Sequence, residues 1–153
     1  MHIQSSRFGS LDIDADQVIT FSRGLIGFSD QHRFILLGDS SNERFFWLQS
    51  VDDADVAFLL TNPALFFKGY SVAIKDETTA DLQLDGSTNA NLRTLVICNK
   101  VGDWLTGNIL GPIVINQSNL LATQVVLTEK KWTTRQPLAK LTQLLDERLA
   151  KAA

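Results

Sequence analysis

The chain has 153 residues, a length that fits a single domain with one hydrophobic core. It is 44% hydrophobic and 20% charged, and no apolar run approaches the roughly 20 residues of a membrane-spanning helix. Residues 1–127 hold 8 Lys+Arg against 14 Asp+Glu, a balance of −6, whereas residues 128–153 hold 6 against 3. An acidic body repels phosphate backbones, so we expect a basic protein partner and neither direct nucleic-acid binding nor membrane association.

Short strand patterns separated by turn signals fill the first part of the chain. Runs of alternating or continuous apolar residues predict strands at His2–Phe8, Leu11–Asp16, Val18–Phe21, Arg33–Leu37, Arg44–Ser50 and Ala57–Thr61. Gly24 and Gly27 stand among apolar residues between the third and fourth runs. They predict a compact loop that needs positive φ or close backbone approach. Pro63 has no N–H for a ladder, so the sixth strand is expected to end before it.

The middle of the chain continues in the same way. Ser71–Ile74 reads as a strand, and Asp85–Asn91 reads as a loop by composition. Asp76–Leu84 reads as a single helical turn capped by Asp76, with a strand as the alternative. Three further runs are rich in Val, Ile and Thr and are bounded by Gly, Asn and Asp. They predict consecutive antiparallel strands at Leu92–Asn99, Ile109–Asn116 and Ala122–Leu127.

The pattern changes near the C-terminus. Pro137 stands where the first position of a helix would be, and leucines then recur at spacings of three, three, one and four. This predicts an amphipathic helix over residues 137–152 whose stripe either packs on a body formed by residues 1–135 or docks on a partner. The expected fold is therefore one domain, 1–153, of the all-β class: a mainly antiparallel, barrel-like roll of short strands with one C-terminal helix.

The sequence offers little for catalysis. It lacks metal-ligand spacings of His and Cys and has no Gly-x-Ser-x-Gly nucleophile motif. Cys98 is the single cysteine, which excludes an internal disulfide, and its apolar strand predicts a buried, inert thiol. The N-terminus, Met1–Arg7, lacks the layout of a signal peptide. We therefore expect a cytoplasmic protein that is not an enzyme and holds no cofactor or metal.

Two groups of residues are candidates for contact with a protein partner. Asp52, Asp53 and Asp55 form an acidic turn that would steer a basic partner. Phe66 and Phe67 follow a strand-breaking proline, and a partly exposed aromatic beside acidic turns is typical of a binding hot spot. Core packing of both rings is the alternative.

An ordered set of short motifs covers residues 3 to about 135. The motifs are Arg7-Phe8-Gly9, Ile19-x-Phe21-x-x-Gly24-Leu25-x-Gly27-Phe28, Arg33–Leu37, Trp47-Leu48-Gln49-Ser50, Ala57-Phe58, Pro63-x-x-Phe66-Phe67-x-x-Tyr70, Thr106-x-Asn108-x-x-x-Pro112-Ile113-Val114-Ile115-Asn116 and Gln124–Leu127. Together they resemble the bacterial flagellar assembly factor FliW family.

The resemblance implies a cytosolic, non-enzymatic barrel, expected to be a monomer, that binds either flagellin or the RNA-binding regulator CsrA. By capturing CsrA it would relieve repression of flagellin translation. We expect structural roles for the polar, Gly and Pro residues of the motifs, because polar groups beside turns usually satisfy the backbone. These residues are Gly24, Gly27, Gln49, Pro63, Thr106, Asn108, Pro112 and Asn116.

Two alternatives remain open on the sequence. The first is a small-molecule-binding or catalytic barrel that uses a mouth near Gly24–Phe28 and Thr106–Asn116, since glycines allow close backbone approach to a ligand. The second is a structural subunit of a larger assembly that uses the terminal leucine stripe.

Overall fold

The computed structural model describes residues 1–84 and 91–144. Within them the strands are β1 His2–Ser5, β2 Gly9–Asp12, β3 Ile19–Phe21, β4 Arg33–Gly38, β5 Phe45–Ser50, β6 Ala57–Thr61, β7 Leu92–Val101, β8 Trp104–Gly107, β9 Ile113–Asn116, β10 Leu121–Gln124 and β11 Gln136–Lys140. The helix α1 spans Asp76–Asp81, and 3-10 turns occupy Ala15–Gln17 and Pro63–Leu65. No helix in the described ranges is long and apolar enough to cross a membrane.

Seven strands close into a barrel in the order β7-β6-β5-β4-β3-β10-β9, because β9 also pairs with β7. The β3–β10 pairing is parallel and the other pairings are antiparallel. The ten-residue β7 makes this closure possible. Its first half pairs with β9 at Leu92–Leu95, and its second half pairs with β6 and then with β8. β11 extends the sheet beyond β8.

Side chains of alternating strand residues fill the barrel. Its largest rings, Phe21 and Phe34, are fully buried and meet edge to face with their centroids 5.3 Å apart. Leu48, Leu60 and Leu95 complete the centre of this cluster. The β1–β2 hairpin lies outside the barrel and covers Ile35 with Ile3 and Ile13. Apolar burial on both sides of the sheet explains why β4 and β5 read as continuous apolar runs.

The all-β, barrel-like class predicted from the sequence is confirmed. The bounds of β6 match the predicted run, and α1 forms where a helical turn was predicted, although its N-cap is Lys75 and not Asp76. Three local predictions are wrong. Residues 71–74 are not a strand. β8 falls where only turns were expected. The run from Ile109 becomes a strand only at Ile113, after Gly111 and Pro112 interrupt it.

The predicted C-terminal helix requires a correction at its start. Gln136–Lys140 forms β11, which pairs with β8 and carries a register shift between Pro137 and Ala139. Residues 141–144 are helical, and the rest of the predicted helix lies outside the described residues. Leu138, Leu141 and Leu144 pack against Phe45, Cys98 and Leu105. The three described leucines of the stripe therefore pack on the sheet, and a strand supplies the first of them.

Candidate partner-binding surfaces

The acidic turn, residues 51–56, connects β5 to β6 and is organised by a buried side chain. Gln49 is fully buried, and its Nε2 lies 3.1–3.4 Å from the carbonyl oxygens of four residues of the turn and its entry: Ser50, Asp53, Ala54 and Val56. Its Oε1 accepts a hydrogen bond of 2.7 Å from Ser5 Oγ. One amide thus holds the carbonyl groups of the turn inward, while Asp52 and Asp55 are exposed and Asp53 is half-buried.

The three carboxylates are not equivalent. Asp52 pairs with Arg33 on the neighbouring strand, and the Arg33 Nε–Asp52 Oδ2 distance is 3.1 Å. Hydrogen bonding to Arg33 lowers the pKa of Asp52 below its usual range. Asp53 accepts a hydrogen bond from the Asp55 N–H at 3.0 Å, and Asp55 accepts one from the Ser6 hydroxyl. Asp53 and Asp55 therefore supply the negative charge of the turn, because Arg33 offsets that of Asp52.

The other predicted contact residues lie elsewhere. Phe66 and Phe67 follow β6, whereas the acidic turn precedes it, so β6 separates the two groups by about 17 Å. Phe66 is half-buried against Phe45, Cys98 and Leu105, and Phe67 is half-buried with its ring centroid 4.9 Å from that of Trp132. Both rings are thus partly exposed, as expected, but they lie beyond the opposite end of β6 from the acidic turn.

The loop after β3 forms one wall of a surface groove of about 460 Å³. Gly24 and Gly27 adopt positive φ of +67° and +85°, as predicted. A Cβ on Gly24 would lie 2.7 Å from the Ser29 carbonyl oxygen, so this glycine also allows close backbone approach. Arg23 pairs with Glu77 at 2.7 Å and with Asp81 at 2.9 Å, which ties the loop to α1.

The predicted barrel mouth does not form as one site. The groove beside Gly24–Phe28 is lined on its other side by α1 and residues 123–126, and no residue of Thr106–Asn116 lines it. Gln124 fills the space between the two segments. It accepts a hydrogen bond from the Ile26 N–H at 3.0 Å and donates one to the Gly111 carbonyl at 2.9 Å. Residues 123–126 could not be recognised from the sequence as part of a groove, because they continue a strand-like run.

Four of the other motif residues contact the backbone. Thr106 Oγ1 donates to the Asn99 carbonyl at 3.1 Å, and Asn116 Nδ2 donates to the Leu82 carbonyl at 2.9 Å. Pro63 is buried at the start of its 3-10 turn, and the Pro112 carbonyl accepts from the Val125 N–H at 2.8 Å. These contacts fit the structural roles expected of the motif residues.

The fifth of these residues, Asn108, is different. Asn108 Oδ1 is buried and has no hydrogen-bond partner, unlike the other buried side-chain polar atoms of the described residues. Its amide lies against Gly111, where an added Cβ would be 2.7 Å from Asn108 Nδ2.

Residues with metal-binding or nucleophilic potential do not converge. Residues 1–84 and 91–144 contain no group of three or more His, Cys, Asp or Glu that could hold a metal ion. Cys98 is buried, and burial raises the pKa of its thiol to about 12, so it remains protonated at neutral pH. Burial likewise raises the pKa of Tyr70 to about 12, and its hydroxyl donates to the Ile109 carbonyl at 2.8 Å.

Comparison with known proteins identifies relatives along most of the chain. The family model described as "FliW protein" matches residues 2–138. The flagellar assembly factor FliW of Natranaerobius thermophilus is 37% identical, over 90% of this chain and 92% of that protein. That of Bacillus subtilis (strain 168) is 32% identical, over 90% and 96%. A crystal structure of the flagellar assembly factor FliW superposes with a TM-score of 0.81 at 30% identity, over 91% of this chain and 97% of that one.

Proposed function

This chain belongs to the FliW family and is a flagellar assembly factor, and from that premise we propose that it binds flagellin and, alternately, the translational regulator CsrA. In this proposal the chain is a cytoplasmic monomer that works by binding alone, without turnover or cofactor. When flagellin is exported, the released chain captures CsrA and relieves repression of flagellin translation.

The acidic turn is the single observation that carries the CsrA half of the proposal. Asp53 and Asp55 lie on a turn whose backbone is fixed by Gln49, so their charges are held in place before a partner arrives. A regulator that binds RNA needs basic residues. A fixed acidic rim would accelerate its encounter and favour one orientation. The net negative charge of residues 1–127 would also attract a basic partner.

The positions of the candidate residues also bear on flagellin. Because β6 separates the acidic turn from Phe66 and Phe67, one small partner is not expected to cover both groups. We propose that Asp53 and Asp55 contact CsrA. We also propose that the chain cannot bind flagellin and CsrA at the same time. The barrel-mouth alternative is not favoured, because Gln124 occupies the space between its two predicted halves.

The experiment is a competition between two purified proteins. CsrA labelled with a fluorophore is titrated with the chain, and unlabelled flagellin is then added while the anisotropy is followed. The proposal expects the anisotropy to rise with the chain and to return to its initial value with flagellin. If CsrA binds but flagellin leaves the complex intact, the alternate-binding part of the proposal is wrong.

A matched pair of double variants tests the role of the acidic turn. Asp53→Asn with Asp55→Asn removes two charges but keeps both oxygen acceptors. Asp14→Asn with Asp16→Asn removes the same charge from the exposed turn after β2, where Asp14 makes no capping hydrogen bond. The first pair should weaken CsrA binding about tenfold and flatten its salt dependence, whereas the second should have a much smaller effect. Equal effects of the two pairs would remove the acidic turn from the interface.

A further inference from the structure

Exposed aromatic side chains gather at one end of the barrel. Among residues 1–84 and 91–144, the exposed aromatic side chains are Phe8, Phe28 and Trp104, at 38%, 39% and 40% of their surface. They belong to three segments that are distant in sequence. Strand registers and hydrogen bonds bring all three segments to the end of the barrel that carries the acidic turn.

Phe28 lies in the loop of residues 22–32, between β3 and β4. Phe34 pairs with Ser50 across β4 and β5, so this loop and the acidic turn leave the sheet at the same end. The ring of Phe28 packs edge to face on Phe58, with the centroids 5.1 Å apart, and Phe58 is the second residue of β6. Phe28 therefore lies next to the start of β6, where the acidic turn ends.

Trp104 reaches the same end along the neighbouring strands. β7 runs antiparallel to β6 with Cys98 opposite Leu59, and this register places Val101 level with the last residue of the acidic turn. Trp104 begins β8 and pairs with Val101, which is also exposed. Two exposed apolar side chains therefore lie within two strand spacings, about 10 Å, of the start of β6.

Phe8 is joined to the acidic turn by hydrogen bonds. It lies in the turn between β1 and β2. In that turn, the Ser6 N–H donates to the Ala54 carbonyl at 2.9 Å, and the Ser6 hydroxyl donates to Asp55. The ring of Phe8 packs edge to face on Trp47, with the centroids 6.1 Å apart. The β1–β2 turn therefore places an aromatic ring close to the acidic turn.

Buried polar side chains hold the flanking segments in place. Ser5 Oγ, which donates to the buried Gln49, also accepts the Phe8 N–H at 3.0 Å. Ser50 Oγ donates to Gln31 in the loop before β4 at 2.6 Å and accepts the N–H groups of two residues of the acidic turn. Gln49 and Ser50 are fully buried. The surface is thus ordered before a partner arrives, which lowers the entropic cost of binding.

Carboxylates beside exposed rings fit a basic protein surface. A Lys or Arg side chain pairs with a carboxylate, stacks on an aromatic face and packs its methylene groups on apolar atoms. The acidic turn supplies the carboxylates, and the three rings supply the aromatic faces. Two cations at this end are already engaged, since Arg33 pairs with Asp52 and the Arg7 guanidinium lies 4.0 Å from the centre of the Trp47 ring.

We propose that CsrA contacts this whole end of the barrel, with Phe8, Phe28 and Trp104 as aromatic anchors beside the acidic turn. The inference rests on the proposed function, because it takes CsrA as the basic partner, and it adds the residues that hold CsrA once the carboxylates have steered it. Aromatic residues dominate the affinity of many interfaces, whereas exposed charges act mainly on the rate of association. The rings therefore slow dissociation, and Asp53 and Asp55 accelerate association.

The direct test measures CsrA binding by single variants that each truncate one side chain. Phe8→Ala, Phe28→Ala and Trp104→Ala remove the rings. Leu65→Ala is the matched control, because Leu65 is 55% exposed and lies beyond the opposite end of β6. We expect each ring variant to bind CsrA at least about tenfold more weakly, through faster dissociation in stopped-flow measurements. Leu65→Ala should bind like the wild type.

Hydrogen–deuterium exchange of the wild-type complex tests the surface without any substitution. Amides of residues 6–8, 26–28 and 101–104 should become protected by CsrA together with those of residues 51–56. The measurement remains decisive even if Phe28→Ala, which removes the ring packed on Phe58, does not fold.

The outcomes separate this inference from the proposed function. If the wild-type chain does not bind CsrA, both are wrong. If CsrA binding depends on Asp53 and Asp55 but the three ring variants bind like Leu65→Ala, the inference is wrong and the proposed function stands. Protection confined to residues 51–56, or ring variants that weaken flagellin binding and leave CsrA binding unchanged, would also overturn the inference.

Discussion

The acidic turn and the groove beside β10 are both surfaces of one barrel, but they are built in opposite ways. At the acidic turn, the backbone carbonyls face inward to the buried Gln49 amide, and side-chain charges face out. At the groove, the Val125 and Leu127 amides are bonded to residues 110–112, and the charges of Arg23, Glu77 and Asp81 are paired with each other. The first surface offers charge to a partner, whereas the charges at the second offset one another.

This difference has a consequence for stability. The acidic turn depends on a buried polar network, and a polar group left without a partner in such a network is costly. The segment after β10 can be altered at exposed positions without disturbing the core, because Val126 is largely exposed. Mutations should therefore destabilise the fold at the turn and have little effect on stability at exposed positions of the groove.

The largest effect is expected from Gln49→Leu. The change leaves the Ser5 hydroxyl without its acceptor and the turn carbonyls without their donor, so we expect a loss of about 2 to 4 kcal/mol in the free energy of unfolding. Urea denaturation measures it. The exposed Gln117→Leu serves as the control and should change stability by less than about 0.5 kcal/mol. Equal stability of the two variants would contradict the role given to Gln49.

Gly24→Ala should come next, and Gly27→Ala is its matched control. Both residues have positive φ, but only a Cβ at Gly24 meets backbone atoms, at 2.7 Å from the Ser29 carbonyl oxygen. We expect a loss of about 1 kcal/mol for Gly27→Ala from backbone strain and a further loss of about 1 to 3 kcal/mol for Gly24→Ala. Thermal unfolding of both variants tests this, and similar melting temperatures would show that the groove wall adapts.

A smaller effect on the free energy of unfolding is expected from the Arg33–Asp52 pair as the pH is lowered. Arg33 lowers the pKa of Asp52, so the unfolded chain takes up a proton first as the pH falls below about 4. The stabilisation by the pair is present above that pH and is lost as the pH falls through the lowered pKa of the folded state. Asp52→Asn should be slightly less stable than the wild type at pH 6, and the difference should shrink near pH 3.

Urea denaturation at the two pH values measures this effect of Asp52→Asn. In an Arg33→Gln background the substitution should have almost no effect, because the partner is gone. A difference that grows on acidification would contradict the pairing.

The smallest effect on stability is expected in the segment after β10, at Val126. Val126→Asp places a charge on a largely exposed position and should change the free energy of unfolding by less than about 0.5 kcal/mol. The same change at the buried Val114 should prevent stable folding. A large loss of stability in Val126→Asp would mean that the segment after β10 is part of the core and not an exposed surface.

Local sequence predicted those elements that depend on local pattern. Ala57–Thr61 is a short apolar run between turn signals, and α1 forms within the predicted Asp76–Leu84 turn. The C-terminal region is different, because Leu138, Leu141 and Leu144 have helical spacing and Pro137 suits a helix start. Pairing of β11 with β8 outweighs that local preference up to Lys140. No spacing in the sequence reveals such a long-range partner.

The candidate site was predictable only in part for the same reason. The acidic character of Asp52, Asp53 and Asp55 is evident from the sequence, but the Arg33–Asp52 pair forms across two strands. Phe66 and Phe67 were predicted to lie beside the acidic turn because they are close to it in sequence. In the structure, the length of β6 separates the two rings from that turn. The groove beside residues 123–126 begins where β3 stops pairing with β10. That point is a property of the barrel and not of either segment alone.

The most direct test of the account is hydrogen–deuterium exchange of the chain with and without purified CsrA. If the acidic turn is the CsrA contact, amides of residues 51–56 will be protected in the complex, and Asp53→Asn with Asp55→Asn will remove that protection. Protection confined to other regions, with residues 51–56 unchanged in a formed complex, would contradict the central claim.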